Sequence, residues 1–384
     1  MRVGYSATIW DGGRSGVGTY IAEQISALRC RDDVELRAIE FGGRVLAPSE
    51  LPKTSGTDAG THRRLRPLRD VLWHRTRLAA LAASERFDLV HVPTIRRLPG
   101  RQPCPVVVTV HDLAPLRLPS KYGPARQVYY RRVLPRWLQA VDAIVTPSRS
   151  TKDDLEHFYG VEPRRITVVP NGVNHDLYHP DDPERSARIL QRQYGIRPPY
   201  LVYVSRLEHP AKNHVRLIEA FRRFKEQSGA PHQLVLVGER WNGHESIERA
   251  AAPLVETKEV VLTGHVPSAD VPHFLRAADA LIFPSLYEGF GMPIVEAMAS
   301  GTPVACSRAS SLTEVADGCA LLFDPTRVED MADALVRITG DIPLRHTLRE
   351  EGTRRARAFT WRRCVEETIG VWRRVLGRDG PRGR

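Results

Sequence analysis

Short, continuous apolar runs separated by helical patterns are the feature that most restricts how this chain can fold. They fall at residues 2–9, 89–92, 105–110 and 143–146, and again at 200–204, 233–237, 260–263, 280–283 and 302–305. A run without polar alternation suits a strand buried on both faces, the situation in a parallel sheet covered by helices. Between the runs lie helices such as 213–225, where Leu217, Ile218, Phe221 and Phe224 share one stripe and Asn213 is placed to cap the start. Strand and helix alternate in this way twice over, so the chain reads as α/β with two doubly wound domains facing one cleft. Its 384 residues agree, since a single core of that size normally divides.

The break falls at 176–199, where Pro180, Asp181, Asp182, Pro183, Pro198 and Pro199 concentrate. This stretch reads as a linker between a domain at 1–175 and another at 200–358. Residues 359–384 form a third part, with Trp361, Val365, Ile369, Trp372 and Leu376 at helical spacing and arginines alongside. The irregular stretch 42–67, rich in Gly, Pro, Ser and Thr, contains Arg63 and Arg64; a loop that long is usually functional or mobile.

Charge divides with the domains. The excess of 56 Lys and Arg over 45 Asp and Glu, +11, invites a polyanionic partner. Residues 1–180 hold 27 basic and 18 acidic side chains, 181–344 hold 17 and 22, and 345–384 hold 12 and 5. The balances of +9, −5 and +7 leave the second domain acidic. No aromatic-interleaved basic motif or zinc pattern supports nucleic acid as the partner. Five scattered cysteines without a metal-like spacing suit a reduced cytoplasm. No apolar run approaches the roughly 18 residues of a membrane span, and no leader pattern opens the sequence. Any membrane contact is therefore expected to be peripheral.

Four places carry candidate chemistry. The glycine-rich turn from Gly12 to Gly18 lets backbone amides approach a phosphate at a helix N-terminus, or serves only as a tight turn; its spacing fails GxGxxG. After the 280–283 run, Gly289-Phe290-Gly291 leads into a helix bracketed by Pro293 and Gly301. Glu288 precedes that helix and Glu296 lies in its first turn or so, either as a ligand-binding carboxylate or as an offset to the helix dipole. Arg206 and Lys212 leave a strand end and enter a helix, where two cations can neutralise a diphosphate or form a plain surface pair. His111, at the end of the 105–110 run, either caps a carbonyl or faces a ligand.

Taken in order, Gly16, His111-Asp-Leu-Ala-Pro, Pro170-Asn-Gly-Val, Ser205-Arg-Leu and the Glu288-x7-Glu296 stretch resemble the family 4 retaining glycosyltransferases along the whole chain. That resemblance implies the GT-B architecture: two Rossmann-like domains, the first for acceptor and the second for nucleotide sugar, with the last helix crossing back to the first. It implies that Arg206, Lys212 and Gly16 bind the donor diphosphate. Glu288, with the amides of Phe290, Gly291 and Met292, would bind the transferred sugar, and Glu296 the ribose. His111 and Glu288 would serve the reacting centre, with no metal required. One more residue separates Arg206 from Lys212 than in the commonest pattern.

Within the family, the motif neighbourhood resembles mannosyl- and rhamnosyl-type members that assemble bacterial surface polysaccharides. GDP-mannose is accordingly the first donor expected, a UDP-hexose the second, and a glycan or polyprenyl-diphosphate-linked glycan the acceptor. The basic first domain and tail are expected to rest on an anionic membrane surface from the cytoplasmic side. Arg126, Tyr129, Tyr130, Arg131 and Arg132, with Arg63 and Arg64, are the surface candidates, against the plainer reading of a solvated face over an aromatic stripe. A glucan synthase or sugar-nucleotide epimerase of the same fold is the alternative enzyme. A basic nucleic-acid-binding protein is the alternative without catalysis.

Overall fold

The structure, a computed structural model, describes residues 1–10, 15–40, 42–50, 66–97 and 99–377. The chain forms two compact units. The first is Met1–Leu116, Tyr122–Gly172 and Trp361–Arg384; the second is Arg117–Lys121 and Val173–Thr360.

In the first unit the strands are β1 (Arg2–Ser6), β2 (Glu35–Ile39), β3 (Val45–Leu46), β4 (Leu89–Val92), β5 (Val106–Thr109), β6 (Ala143–Thr146) and β7 (Ile166–Val168). They lie in the order β3-β2-β1-β4-β5-β6-β7, parallel except for the β2–β3 edge pair. Every residue of β4, β5 and β6 is buried, which is why those segments read as unbroken apolar runs.

The second unit contains β8 (Tyr200–Val204), β9 (Gln233–Val237), β10 (Val260–Gly264), β11 (Ala280–Phe283), β12 (Val304–Ser307) and β13 (Leu321–Phe323). All are parallel, in the order β10-β9-β8-β11-β12-β13. The order reverses between β8 and β11, and ligands bind such sheets beyond the strand ends at that reversal. Strand β12 begins two residues later than the 302–305 run suggests, because Pro303 has no N–H for the ladder.

The stretch 176–199, expected as a linker, instead carries the helix Pro183–Tyr194 within the second unit. Asp182 caps it by accepting from Glu184 N–H at 2.8 Å, Pro183 opens the first turn, and Gly195 closes it in the left-handed conformation. Its inner face buries Leu190 and docks through Ser186 to His273 and through Tyr194 to Asp270. Prolines and aspartates read as loop residues are here a helix-start signal.

The helix Trp361–Val375 belongs to the first unit and packs against the helix Gly16–Leu28. Gln24 donates across that contact to Cys364 Sγ at 3.2 Å. Trp372, fully buried, donates its indole N–H to His91 Nδ1 at 3.0 Å. Asn213 does not cap the helix His214–Ser228 with its side chain. It adopts a left-handed backbone, and its amide donates to the Pro284 and Pro325 carbonyls, tying β8, β11 and β13 ends together.

Candidate functional site

In the second unit the site is built on the ends of β8 and β11. Gly238 has φ +155, and a Cβ there would collide with the Ser205 carbonyl, so glycine lets the chain leaving β9 approach the chain leaving β8. Leu207 pairs with residues 239–241 through two backbone hydrogen bonds, to Glu239 O and from Trp241 N. Its neighbours Arg206 and Glu208 thereby project from the opposite face of the extended segment. The Arg206 guanidinium lies 4.5 Å over the Trp241 ring and keeps 40% of its side chain exposed.

Lys212 follows on the same loop. Buried Tyr203 holds it in place by donating to its carbonyl at 2.8 Å, and Tyr203 Oη is 3.2 Å from Ser285 Oγ at the β11 end. Its ammonium donates to Glu288 Oε1 at 2.5 Å, with both side chains largely shielded. Glu288 is itself fixed from both sides: its N–H donates to Ser310 Oγ, and Ser311 Oγ donates to its carbonyl, each at 2.9 Å. The extra residue between Arg206 and Lys212 thus does not keep the lysine from the site.

Beyond Glu288, Gly291 caps the helix Met292–Ala299 with φ +97. A Cβ there would come within 2.6 Å of Leu312 Cδ2 and would be strained in any case. Phe290 anchors the turn edge-on against Phe359. The amides that open this helix, including those of Gly291 and Met292, have no intrahelical acceptors and suit a negatively charged ligand. Glu296 stands at the fifth helical position, past the first turn where a carboxylate offsets the dipole, so that plain reading does not fit. It keeps some surface open but is ringed by protein, and burial pushes its carboxyl up to about 7. Among the described residues its side chain has neither a hydrogen-bond partner nor a cation.

In the first unit, Gly16 is the first residue of its helix, behind the cap Ser15, whose Oγ accepts from Gly18 N–H. Among the described residues, nothing lies within 4 Å of where a Gly16 Cβ would be. His111 follows β5 and contacts a backbone carbonyl, the first of the two readings. Its Nε2 is 3.0 Å from the Pro93 carbonyl, to which it can only donate, while the ring packs edge-on against Tyr20 at 4.7 Å. Burial holds His111 below the usual histidine range, so the neutral ring carries its lone pair on Nδ1.

The proposed surface helix is only partly a surface. Arg126, Arg131 and Arg132 are exposed, but Tyr130 is 6% exposed and Tyr129 donates to the Ile95 carbonyl at 2.7 Å while meeting Trp137 edge to face. The tyrosines are packing residues, as the aromatic stripe required. Arg63 and Arg64 lie outside the described residues. Trp241, Glu208, Ser310 and Ser311 were not signalled by any local pattern, since each acts through a contact made by another strand end. Among the described residues no helix is long and apolar enough to cross a membrane.

Two doubly wound units, with a helix N-terminus at the switch point of the second sheet, give the architecture of the GT-B glycosyltransferases. The second half, residues 187–355, matches the family model "Glycosyl transferases group 1", and residues 14–177 match "Glycosyltransferase Family 4". The O-antigen chain mannosyltransferase B of Escherichia coli is 27% identical over 377 residues, covering 94% of this chain and 96% of that protein. An MMP alpha-(1->4)-mannosyltransferase of Mycolicibacterium hassiacum is 29% identical over 79% of this chain and 74% of its own length. In fold, the chain is similar to the sucrose-phosphate synthase of Thermosynechococcus elongatus, with a TM-score of 0.75 at 20% identity over 98% of this chain and 99% of that one. The chain belongs to the family 4 glycosyltransferases and transfers a hexose from a nucleotide-sugar donor to a glycan acceptor.

Proposed function

We propose that the protein is a retaining mannosyltransferase that uses GDP-mannose to extend a polyprenyl-diphosphate-linked glycan. The observation that carries the reading is the convergence of Arg206, Lys212, Glu288 and the Met292–Ala299 helix at the β8/β11 reversal, combined with mannosyltransferase relatives along nearly the whole chain. In this reading the sugar's anomeric C–O bond to the diphosphate breaks as negative charge grows on the leaving group. Arg206, Lys212 and the helix amides meet that charge, with no metal needed. The acceptor hydroxyl bonds to the anomeric carbon on the same face, and its proton passes to the departing phosphate oxygen. Glu288 accepts from sugar hydroxyls, Glu296 from the ribose, and the Gly16 amide donates to the distal phosphate. His111, donating through Nε2 to Pro93, offers Nδ1 as an acceptor for a sugar hydroxyl.

Hydrolysis of a panel of nucleotide sugars tests donor choice. GDP-mannose is expected to be consumed fastest; a clear preference for a UDP-hexose removes the mannose assignment. The anionic membrane reading draws on exposed Arg126, Arg131 and Arg132 beside Val128, which is 57% exposed. Each basic residue near such a surface contributes about 1 kcal/mol. Equal flotation with anionic and neutral liposomes counts against it.

The Glu296 assignment carries a pH dependence. An ionised carboxylate accepts hydroxyl hydrogen bonds more strongly than a neutral carboxyl does. With its carboxyl raised to about 7, donor binding is expected to tighten as pH rises through that value. The intact nucleotide sugar is the right probe because its diphosphate diester does not titrate there. Glu296→Gln is expected to remove the step; a step that survives the substitution belongs to another group. Protein stability runs the other way: the raised carboxyl favours the fold below its unfolded value, and this contribution is lost as pH rises through about 7.

A further inference from the structure

Two residues after Arg206, Glu208 is 3% exposed, an unusual place for a carboxylate. Its Oε1 accepts the Lys121 ammonium at 2.9 Å, from the short segment Arg117–Lys121 that belongs to the second unit. Its Oε2 is buried without a hydrogen-bond partner and stands 3.7 Å from Arg206 Nη2. A buried charged oxygen left unsatisfied is costly, and such exceptions call for a reason. Arg206, meanwhile, has its guanidinium face against Trp241 and its side chain part exposed.

We propose that Glu208 and Trp241 are the positioning residues of Arg206, together fixing the plane of its guanidinium so that one edge is held by the protein and the other is presented to the donor diphosphate. The proposal rests on the reading of Arg206 as a diphosphate ligand. Trp241 restrains the plane by covering its face. Glu208 Oε2 restrains rotation within the plane, needing only a small approach to accept one N–H of the fork. Lys121 makes a carboxylate tolerable beside an anion site: the three groups Lys121, Glu208 and Arg206 sum to +1, so an incoming phosphate still meets positive charge. Leu207, 2% exposed and bonded on both sides to the 239–241 segment, keeps Arg206, Glu208 and Trp241 in one cluster.

Glu208→Gln separates this role from a bystander's. If the carboxylate acts only through its charge, removing it lessens repulsion and tightens binding of a diphosphate. If it orients Arg206, binding weakens. Titration calorimetry with GDP and with UDP at fixed salt is expected to show about tenfold weaker binding for Glu208→Gln. Trp241→Leu, a change at a side chain 42% exposed and outside the core, is expected to weaken binding several-fold. In an Arg206→Ala background neither substitution has a further effect, because the group they position is gone. Unchanged or tighter binding in Glu208→Gln overturns the proposal, as does unchanged binding in Trp241→Leu should the first variant fail to fold. If Arg206→Ala alone leaves GDP and UDP binding intact, the diphosphate reading itself falls and takes this inference with it.

Discussion

Lys212→Met is expected to lower kcat/KM by about 10² to 10³, the usual effect of removing one donor aimed at developing negative charge in a shielded site. Two roles compete for this lysine. Its ammonium is bonded to Glu288 Oε1 at 2.5 Å, so it could serve only to neutralise that carboxylate. It could also turn to the diphosphate once a donor enters and releases Glu288 to the sugar hydroxyls. The single substitution strands Glu288 in a shielded position and lowers stability in either case. The double variant Lys212→Met/Glu288→Gln removes the stranded charge, so its Tm is expected to recover. Activity is expected to stay low, because neither the diphosphate cation nor the sugar-binding carboxylate returns. Steady-state kinetics beside thermal unfolding decides the matter: a single variant within threefold of the parent excludes Lys212 from the reaction.

How much of this was legible beforehand depends on the range of the interaction. The central strands of both sheets announced themselves because burial on both faces leaves no room for polar residues. Arg206, Lys212, Glu288 and Glu296 could be picked out because strand ends and helix starts are marked locally by glycine and proline. Glu208 could not, since its buried state depends on Lys121, 87 positions earlier, and on the pairing of Leu207 with the 239–241 segment. Asn213 misled for the same reason: its amide satisfies Pro284 and Pro325 carbonyls far along the chain, and these outweigh the cap that short-range rules assign it. At 176–199 the local signals were present but ambiguous. Asp182-Pro183 opens a helix as readily as a loop, and only Leu190 and Tyr194 packing on the neighbouring helix settles which.

Trp372→Ala is expected to be the most destabilising single change in the first unit, costing about 3–5 kcal/mol for the lost aromatic volume alone. Trp372 is fully buried, and its indole N–H is the donor that His91 Nδ1 requires. An indole can only donate, so His91 Nδ1 is unprotonated and Nε2–H donates to Thr109 Oγ1 at 2.8 Å. Burial, aided by His111, lowers His91 to about 3, and the ring stays neutral in the fold. In the unfolded chain it protonates below about 6.5, so this unit loses stability as pH falls from there toward 3. The truncation leaves a cavity and an unpaired nitrogen together, whereas Trp372→Phe fills most of the space and forfeits only the hydrogen bond. A chain of two units is not expected to unfold in one step, so a single midpoint would blur the effect. Hydrogen exchange resolves it by unit: amides of β1, β4 and β5 are expected to lose protection by about 10² to 10⁴, while those of β8, β9 and β11 keep theirs. An equal loss in both units would mean that Trp372 stabilises the chain as a whole. A loss under threefold in β1, β4 and β5 would show that the helix Trp361–Val375 is dispensable to the first unit, and the expected return of the tail would have no energetic content.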